Sequence, residues 1–393
     1  MAGDVRLLSP QARQGVCKRA TGRPLVPNLE TRVPLWIDTP DALRAHLQQL
    51  PAWVGLDTEF IREKTFWPQL ALVQIAIGDT ILLVDPLVPG MPQALAPLLT
   101  DARVVKVMHS ASEDLIALRC ACGVLPSPLF DTQIAAALAG IGGGMGYQKL
   151  VAQITGVTLA KGETRSDWLK RPLSAAQLEY AADDVVHLGA LYAALTDKLQ
   201  ALGRLDWLQA DGARLVAQGE DDGGERWPHL ALRSAQFLDA PAQHRLLRLL
   251  RWREAQARAS DRPKSWILDN ELAVTLARTS MASREALVDW LERQPKSPRK
   301  LADMLWQALS TPLPDEADAP LARNGDQDKQ RLKKLQDAVA AHSAALGLPD
   351  GILASRRWLE MLMEHGQWPA ALEGWRRAQL EPVLAPLLAA PRA

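Results

Sequence analysis

Two carboxylates stand two residues apart near the end of the apolar run Val54-Gly55-Leu56-Asp57-Thr58-Glu59-Phe60. Pro51 precedes the run and the polar Arg62-Glu63-Lys64 follows it, the pattern of a buried strand. Alternate residues of a strand share a face, so Asp57 and Glu59 project side by side. On a buried face they would repel each other and lose hydration, at a cost of several kcal/mol or a large pKa shift. A divalent cation removes both objections. Asp-x-Glu by itself is common and most often lies on a solvated edge, so it needs company. Asp114 ends the stretch His109-Ser110-Ala111-Ser112-Glu113-Asp114, and Tyr180 and Asp184 stand four apart on a helical pattern, hence on one face. Asp183 lies about 100° away around that helix. Each has a plain reading too: an acid suits a helix start, and a Tyr–Asp pair suits a solvated helix face.

The elements that must position these residues are legible in outline. Thr39-Pro40-Asp41 offers an N-cap, a first-turn proline and an early acid, predicting a helix through about Leu50. Leu70–Ile77 and Ile81–Val84 are apolar runs split by Gly78-Asp79-Thr80, so the first three strands form an antiparallel meander. Val104–Met108 is a fourth strand, and Ser110 with Glu113 forms a capping box that puts Asp114 in the first turn of a helix. Asp131–Ala139 and Tyr147–Ile154 read as helices separated by a glycine-rich turn that matches no nucleotide-binding fingerprint. Ser174 and Gln177 form a second capping box, opening one long helix to about Leu202.

The chain of 393 residues is long for one core and predicts two or three domains. Its 45 basic and 45 acidic residues are unevenly spread. Residues 1–32 carry 6 basic and 2 acidic, 33–218 carry 14 and 19, and 226–312 carry 15 and 9. An acidic region beside a basic one suits a metal site paired with a phosphate-holding module, although solvated helix faces give such asymmetry often. Cys17, Cys120 and Cys122 make no disulfide framework, which places the chain in a reducing cytoplasm. No apolar run approaches the ~20 residues that span a bilayer, so no membrane partner is expected. Residues 1–32 are expected to be a disordered basic tail, with Pro24, Pro27 and Pro34 arguing against a transit peptide.

The acids recur in a fixed order, Asp57-x-Glu59, then Asp114, then Tyr180-x-x-x-Asp184, and this resembles the tyrosine-bearing branch of the DEDD exonuclease superfamily. Leu56-Asp57-Thr58-Glu59-Phe60, the stretch from His109 to Leu115, Phe130-Asp131-Thr132-Gln133 and the stretch from Arg165 to Leu173 resemble the ribonuclease D family within it. Leu250-Arg251-Trp252-Arg253-Glu254 and the stretch from Asp261 to Leu268 are similar to the helicase-and-RNase-D C-terminal (HRDC) domain, which that family carries in tandem. The resemblance covers about residue 33 to the end; the tail lies outside it, and the second C-terminal domain matches more loosely.

The resemblance implies an α/β RNase H-like exonuclease domain, a mixed sheet flanked by helices, over 33–218. Two all-α HRDC domains are expected over 226–312 and 328–393. The implied activity is a metal-dependent 3′→5′ exoribonuclease that releases nucleoside 5′-monophosphates and matures tRNA 3′ ends, with an exonuclease acting mainly on DNA as the alternative. The catalytic set is Asp57, Glu59, Asp114, Tyr180 and Asp184, the four carboxylates being the metal ligands. Two Mg2+ or Mn2+ ions roughly 3.5–4 Å apart activate water and stabilise the leaving oxygen in such hydrolysis. Hard cations take oxygen ligands, which four carboxylates supply with matching formal charge. By the family pattern Asp57 bridges both ions, Glu59 and Asp184 complete one, and Asp114 serves the other. Tyr180, of a residue type with pKa near 10, is expected to orient the attacking water and not to deprotonate it. Zinc is not expected, and His109 supports packing or the helix start.

The basic region is the candidate grip on RNA precursors, through Arg245, Arg248, Arg251, Lys296, Arg299 and Lys300. Trp227, Trp252 and Trp266 read as bundle core. Truncation after about Gly219 is expected to leave a folded nuclease, and the protein is expected to act as a monomer.

Overall fold

The computed structural model describes residues 33–160, 162, 166–220, 224–295, 297–322 and 329–389. The expected basic tail, together with Lys161, Arg165 and Lys296, lies outside the described residues. Six strands form one mixed sheet: β1 (Leu35–Ile37), β2 (Trp53–Ile61), β3 (Gln69–Ile77), β4 (Thr80–Val84), β5 (Val105–Met108) and β6 (Leu129–Asp131). Their order is β1-β4-β3-β2-β5-β6. The expected meander of β2, β3 and β4 is present, and β1, β5 and β6 join it in parallel. This is the mixed α/β sheet the sequence called for, with two added three-residue strands, β1 and β6.

Helices α1 (Pro40–His46), α2 (Met91–Thr100), α3 (Ser112–Cys122), α4 (Thr132–Leu138), α5 (Tyr147–Thr155), α6 (Ala175–Val186), α7 (Leu188–Ala201) and α8 (Leu205–Glu220) complete this half. Leu56, Val73 and Ile75 face α1 to α3, whereas Ala76 and Val107 face the helices that carry Val185 and Leu188. The strand alternation that aims Leu56 one way aims Asp57 the other. Thr39 caps α1 by accepting from the Ala42 amide, but the helix stops at His46 and not at Leu50. The Ser174–Gln177 capping box is present. The single long helix expected beyond it is corrected: it breaks at His187 into α6 and α7. Close packing accompanies the break, since a Cβ on Gly189 would lie 2.5 Å from Trp53 Cη2.

Two helical bundles follow, each with its own core. α9 (Ala240–Ser260), α10 (Lys264–Ile267), α11 (Asn270–Arg278), α12 (Arg284–Glu292) and α13 (Ala302–Ser310) pack around Leu246, Leu276, Leu287 and Leu305. α14 (Lys329–Ala345), α15 (Arg356–His365) and α16 (Trp375–Ala389) pack around Leu335, Leu359 and Leu380. Gly219 and Glu220 belong to α8, where a Cβ on Gly219 would meet Leu125 Cδ1 at 3.1 Å.

The second bundle is bolted to the sheet domain. Arg376 grips Asp211 of α8 with both terminal nitrogens, Nη2 at 2.8 Å from Oδ2. Trp375 stacks on Trp207 with ring centroids 4.3 Å apart, and its Nε1 donates to Asp211 as well. A Cβ on Gly140 would lie 2.4 Å from the Gly347 carbonyl oxygen, so two backbones meet there. Truncation after Gly219 would remove Arg376, the guanidinium paired with Asp211, which is 2% exposed in the full chain.

Candidate active site

β2 carries Asp57 and Glu59 on the face turned toward α6 and α7. Gly55, two residues earlier on that face, has no room for a side chain: its Cβ would lie 3.2 Å from both Ala76 Cβ and Leu188 Cδ1. The β2–β3 register slips between Glu59 and Phe60, a bulge that ends regular pairing just past the second acid. Gln74 pairs with Asp57 across the strands. It is 0% exposed, and neither atom of its amide has a partner among the described residues.

Asp114 lies in the first turn of α3, as expected, but the expected capping box is corrected. The residue before α3 is Ala111, and no side chain caps it. Ser110 adopts φ 57°, a left-handed conformation that turns its hydroxyl away from the capping position. Asp131 takes over: its carboxylate accepts from the amides of Ser110 and Ala111 at 3.2 and 2.9 Å. It also caps α4, accepting from Gln133 and Ile134 at 2.8 and 3.2 Å. One carboxylate thus fixes the starts of two helices and aims Asp114 inward. Thr58 donates to Asp114 Oδ1 from β2, and Glu113 turns outward to Arg62 at 3.0 Å. His109 accompanies this turn, with Nδ1 2.8 Å from the Thr132 hydroxyl and its ring 5.5 Å from Tyr147, a packing role as expected.

Helix α6 brings Tyr180 and Asp184 to the same place. Tyr180 packs near the buried Trp168, ring centroids 6.0 Å apart. Across its other edge a Cβ on Gly162 would fall 1.7 Å from Tyr180 Cδ2, so only glycine lets that backbone lie on the ring. Tyr147 went unnoticed in the sequence except as a helix start. Its hydroxyl donates to the Asp183 carbonyl at 3.1 Å, and both Asp184 and Asp57 lie close enough to push its pKa up. Only its place directly after Gly146, at the start of α5, hinted at it.

Electrostatics ties the acids into one cluster. Burial raises Asp57 well above the usual carboxylate range, and Asp114, Asp184 and Glu59 add repulsion. Glu59 is pushed up to about 8 by burial and then by Asp184 and Asp114. Asp114 and Asp184 each rise to about 7, chiefly through burial. Tyr180 is raised as well, by burial and then by Asp184 and Glu59, so it stays protonated. Among the described residues no cation stands among the groups that act on these carboxylates. Among the described residues no three His, Cys, Asp or Glu side chains are gathered closely enough to hold a metal ion. The fit of the site to divalent ions therefore rests on the donor set, four uncompensated carboxylates beside the orphaned Gln74 amide.

The basic candidates fare differently. Arg248 is spent on Glu316, with Nε and Nη2 both at 2.5 Å from its oxygens, and Arg251 on Asp315 at 2.8 Å. Both acids belong to the stretch after Thr311 that reads as a linker, which is docked here onto α9. Arg245 donates through Nε to the Ala277 carbonyl and lines a pocket of about 420 Å³ with Trp306 and Ser280. Arg299 and Lys300 are exposed; Arg299 donates to the Glu292 carbonyl. Trp252 packs into the bundle core as expected, and Trp227 carries Arg226 and Arg251 against its ring, 4.7 and 5.1 Å from its centroid. Among the described residues Trp227 belongs to no core cluster, and Trp266 is 61% exposed, so of the three only Trp252 packs as expected.

The model of a 3′-5′ exonuclease family matches residues 34–200, the span that holds all five candidate catalytic residues. The acid pair of the central strand lies within that match, and the chain is a nuclease of that class. It is 63% identical to ribonuclease D of Xanthomonas oryzae pv. oryzae over 363 residues, 92% of this chain and 100% of that one. With ribonuclease D of Pseudomonas paraeruginosa it shares 38% identity over 84% of this chain and 90% of the relative. The crystal structure of Escherichia coli RNase D, described as an exoribonuclease involved in structured RNA processing, superposes with a TM-score of 0.77 at 29% identity. That match covers 91% of this chain and 98% of the other. The chain belongs to the ribonuclease D family. No helix among the described residues is long and apolar enough to cross a membrane.

Proposed function

We propose that the protein is a cytoplasmic, monomeric 3′→5′ exoribonuclease that trims RNA 3′ ends, tRNA precursors among them, and releases nucleoside 5′-monophosphates. The observation that carries this reading is the set of four carboxylates raised together around the end of β2 with no cation among the described residues acting on them. Asp57, Glu59, Asp114 and Asp184 would hold the divalent ions, Mg2+ or Mn2+. Bound there, the ions supply charge neutralisation and Lewis acidity at the scissile phosphate. Thr58 fixes the Asp114 carboxylate through its hydroxyl, and the Asp131 turn fixes the helix that carries it. Tyr180, held protonated by its acidic surroundings, orients the attacking water through a hydrogen bond and does not take its proton. The water oxygen bonds to the phosphorus of the terminal nucleotide's 5′ phosphate, the bond from that phosphorus to the O3′ of the preceding nucleotide breaks, and that oxygen takes up a proton and leaves as the 3′ hydroxyl of the shortened RNA. The two helical bundles are read as tandem HRDC domains.

The test is hydrolysis of matched 3′-labelled RNA and DNA oligomers by the purified full chain with Mg2+ or Mn2+, and with a chelator. Stepwise release of 5′-monophosphates from RNA, abolished by the chelator, is the expected result. Preferential degradation of DNA, or metal-independent cleavage, would overturn the reading.

A further inference from the structure

Residues 62–68, which leave the catalytic strand, dock on the corner between α9 and α10 of the first helical bundle. Asp261, at the left-handed φ of 46°, accepts from the amides of both Phe66 and Trp67 at 3.0 Å. Phe66 is buried against Ala257 and Ile267. Arg258 lies 5.2 Å from the Phe66 ring centroid and 5.3 Å from that of Trp67, and Lys264 lies 5.6 Å from the former. Arg62 reaches the same ring from the active-site side, at 5.8 Å, while its Nη1 pairs with Glu113, the neighbour of Asp114. A continuous run of contacts therefore leads from the carboxylate cluster to this corner.

The corner presents an unusual outer surface. Trp266 is 61% exposed beside Ile267, whose side chain fills the junction at 6%. Arg262 is exposed and makes no ion pair among the described residues. Arg258 and Lys264, by contrast, are held by Glu254, at 2.8 and 2.6 Å. An indole left in water four residues along the same corner from an exposed guanidinium has the chemistry of a single-strand platform: the ring stacks on a base, and the cation meets a phosphate. A lone exposed apolar residue is ordinary; its rigid link to the reacting end of β2 sets this one apart.

We infer that Trp266 and Arg262 form a stacking platform for the single-stranded RNA segment that leads its 3′ end into the active site. The inference rests on the proposed exoribonuclease reading and adds a substrate contact outside the metal site. Trp266 stacks on one base without choosing its identity, and Arg262 neutralises a neighbouring phosphate.

The experiment compares wild type, Trp266→Ala, Trp266→Phe and Arg262→Ala as full chains, on an RNA dinucleotide and on a longer single strand. Trp266→Ala should raise KM for the longer strand about tenfold with kcat little changed, and leave dinucleotide turnover and thermal stability as in wild type. Trp266→Phe should restore most of the loss, and Arg262→Ala should flatten the salt slope of binding by about 0.7. In the hydrolysis-silenced Asp57→Asn chain, RNA should quench tryptophan fluorescence, and Trp266→Ala should remove that part of the signal. An unchanged KM on the longer strand overturns the platform while wild-type cleavage leaves the nuclease reading standing. So does an equal loss on the dinucleotide, which would mean that the corner acts only through packing. If wild type cleaves no RNA with either metal, the nuclease reading falls, and the platform with it.

Discussion

Asp211 and Asp57 both sit where protein has displaced bulk water, and their surroundings treat them in opposite ways. Asp211, on α8, receives both terminal nitrogens of Arg376 and the indole Nε1 of Trp375. Asp85 is handled likewise, gripped by Arg171 Nε and Nη2 at 2.7 Å each, and Asp131 by four backbone amides. Asp57, Glu59, Asp114 and Asp184 have one another instead, and every one is pushed toward its neutral form. A fold that sets an arginine or four amides against three structural acids sets no cation among the described residues against these four; Asp114 has the Thr58 hydroxyl and Asp57 a single backbone amide. Such an imbalance costs stability unless something absent from the polypeptide supplies the positive charge. The carboxylates that hold the molecule together are those that are fully answered, and those left unanswered mark the chemistry.

The largest effect should come from Asp57→Asn, which keeps the volume and removes the shared charge. Hydrolysis of RNA should fall by several orders of magnitude while circular dichroism stays native. Activity within about tenfold of wild type would break the contrast at its centre.

Next comes the pH dependence of the metal-free protein. A carboxylate whose pKa is raised on folding binds a proton in the native state that the unfolded chain has already released. Stability contributed by that proton is present below the unfolded value of about 4. It is lost as pH climbs through about 7 for Asp114 and Asp184 and about 8 for Glu59. Metal-free protein should therefore lose stability between those limits in urea titrations, Mg2+ or Mn2+ should restore it most at the alkaline end, and Asp57→Asn should flatten the fall. A metal-free stability that rises over this window would contradict the assignment.

Arg376→Met inverts the comparison. Breaking a buried pair strands one charge, at a cost of about 3–5 kcal/mol. The variant should unfold at lower urea, whereas its activity under native conditions should stay near that of wild type. The double change Arg376→Met with Asp211→Leu should recover much of the stability, because no charge is then left behind.

How far this contrast was readable in advance depends on what kind of interaction carried it. The alternation of β2 and the four-residue spacing of Tyr180 and Asp184 are local, so Asp57, Glu59, Tyr180 and Asp184 could be placed on their faces from the sequence. The Ser174–Gln177 box was legible for the same reason. Ser110 and Glu113 carry the same signature, yet the box fails there because Asp131, twenty-one residues on, satisfies the turn first. A long-range competitor leaves no trace in a local motif. The break at His187 likewise reflects how tightly Gly189 must pass Trp53, a contact between distant segments. β1 and β6 are too short to show alternation. Arg248 and Arg251 looked available because Asp315 and Glu316 lie more than sixty residues away in a stretch that reads as linker. Trp266 looked like core because bundles need large apolar fillers, and composition does not say which one is left outside.

Tyr180→Phe should cost about 10²-fold in kcat with KM little changed. Its hydroxyl faces Asp184 and Glu59, and its acidic surroundings keep it protonated, so the ring without the oxygen still packs against Trp168. A loss as deep as that of Asp57→Asn would move Tyr180 from positioning water to something more direct.

The smallest expected effect belongs to Asp183, and it is the sharpest test of which acids form the cluster. Asp183 and Asp184 are neighbours in sequence, both partly accessible, and both raised by burial. They differ in what surrounds them: Asp184 acts on Asp57, Glu59 and Tyr180, whereas the second influence on Asp183 is Glu179, one turn back on α6. The contact of Asp183 with the site runs through its backbone, whose carbonyl accepts from Tyr147, and a side-chain substitution leaves that bond intact. Asp183→Asn should therefore change hydrolysis only a few-fold, while Asp184→Asn removes a ligand and should approach the loss seen at Asp57. The direction of the small effect is also fixed. Asp183 raises Asp184 by repulsion, so removing its charge should lower the Asp184 pKa and shift the acid limb of the pH–rate profile downward. An upward shift, or a loss at Asp183 exceeding that at Asp184, would mean that the wrong face of α6 has been turned toward the metal site.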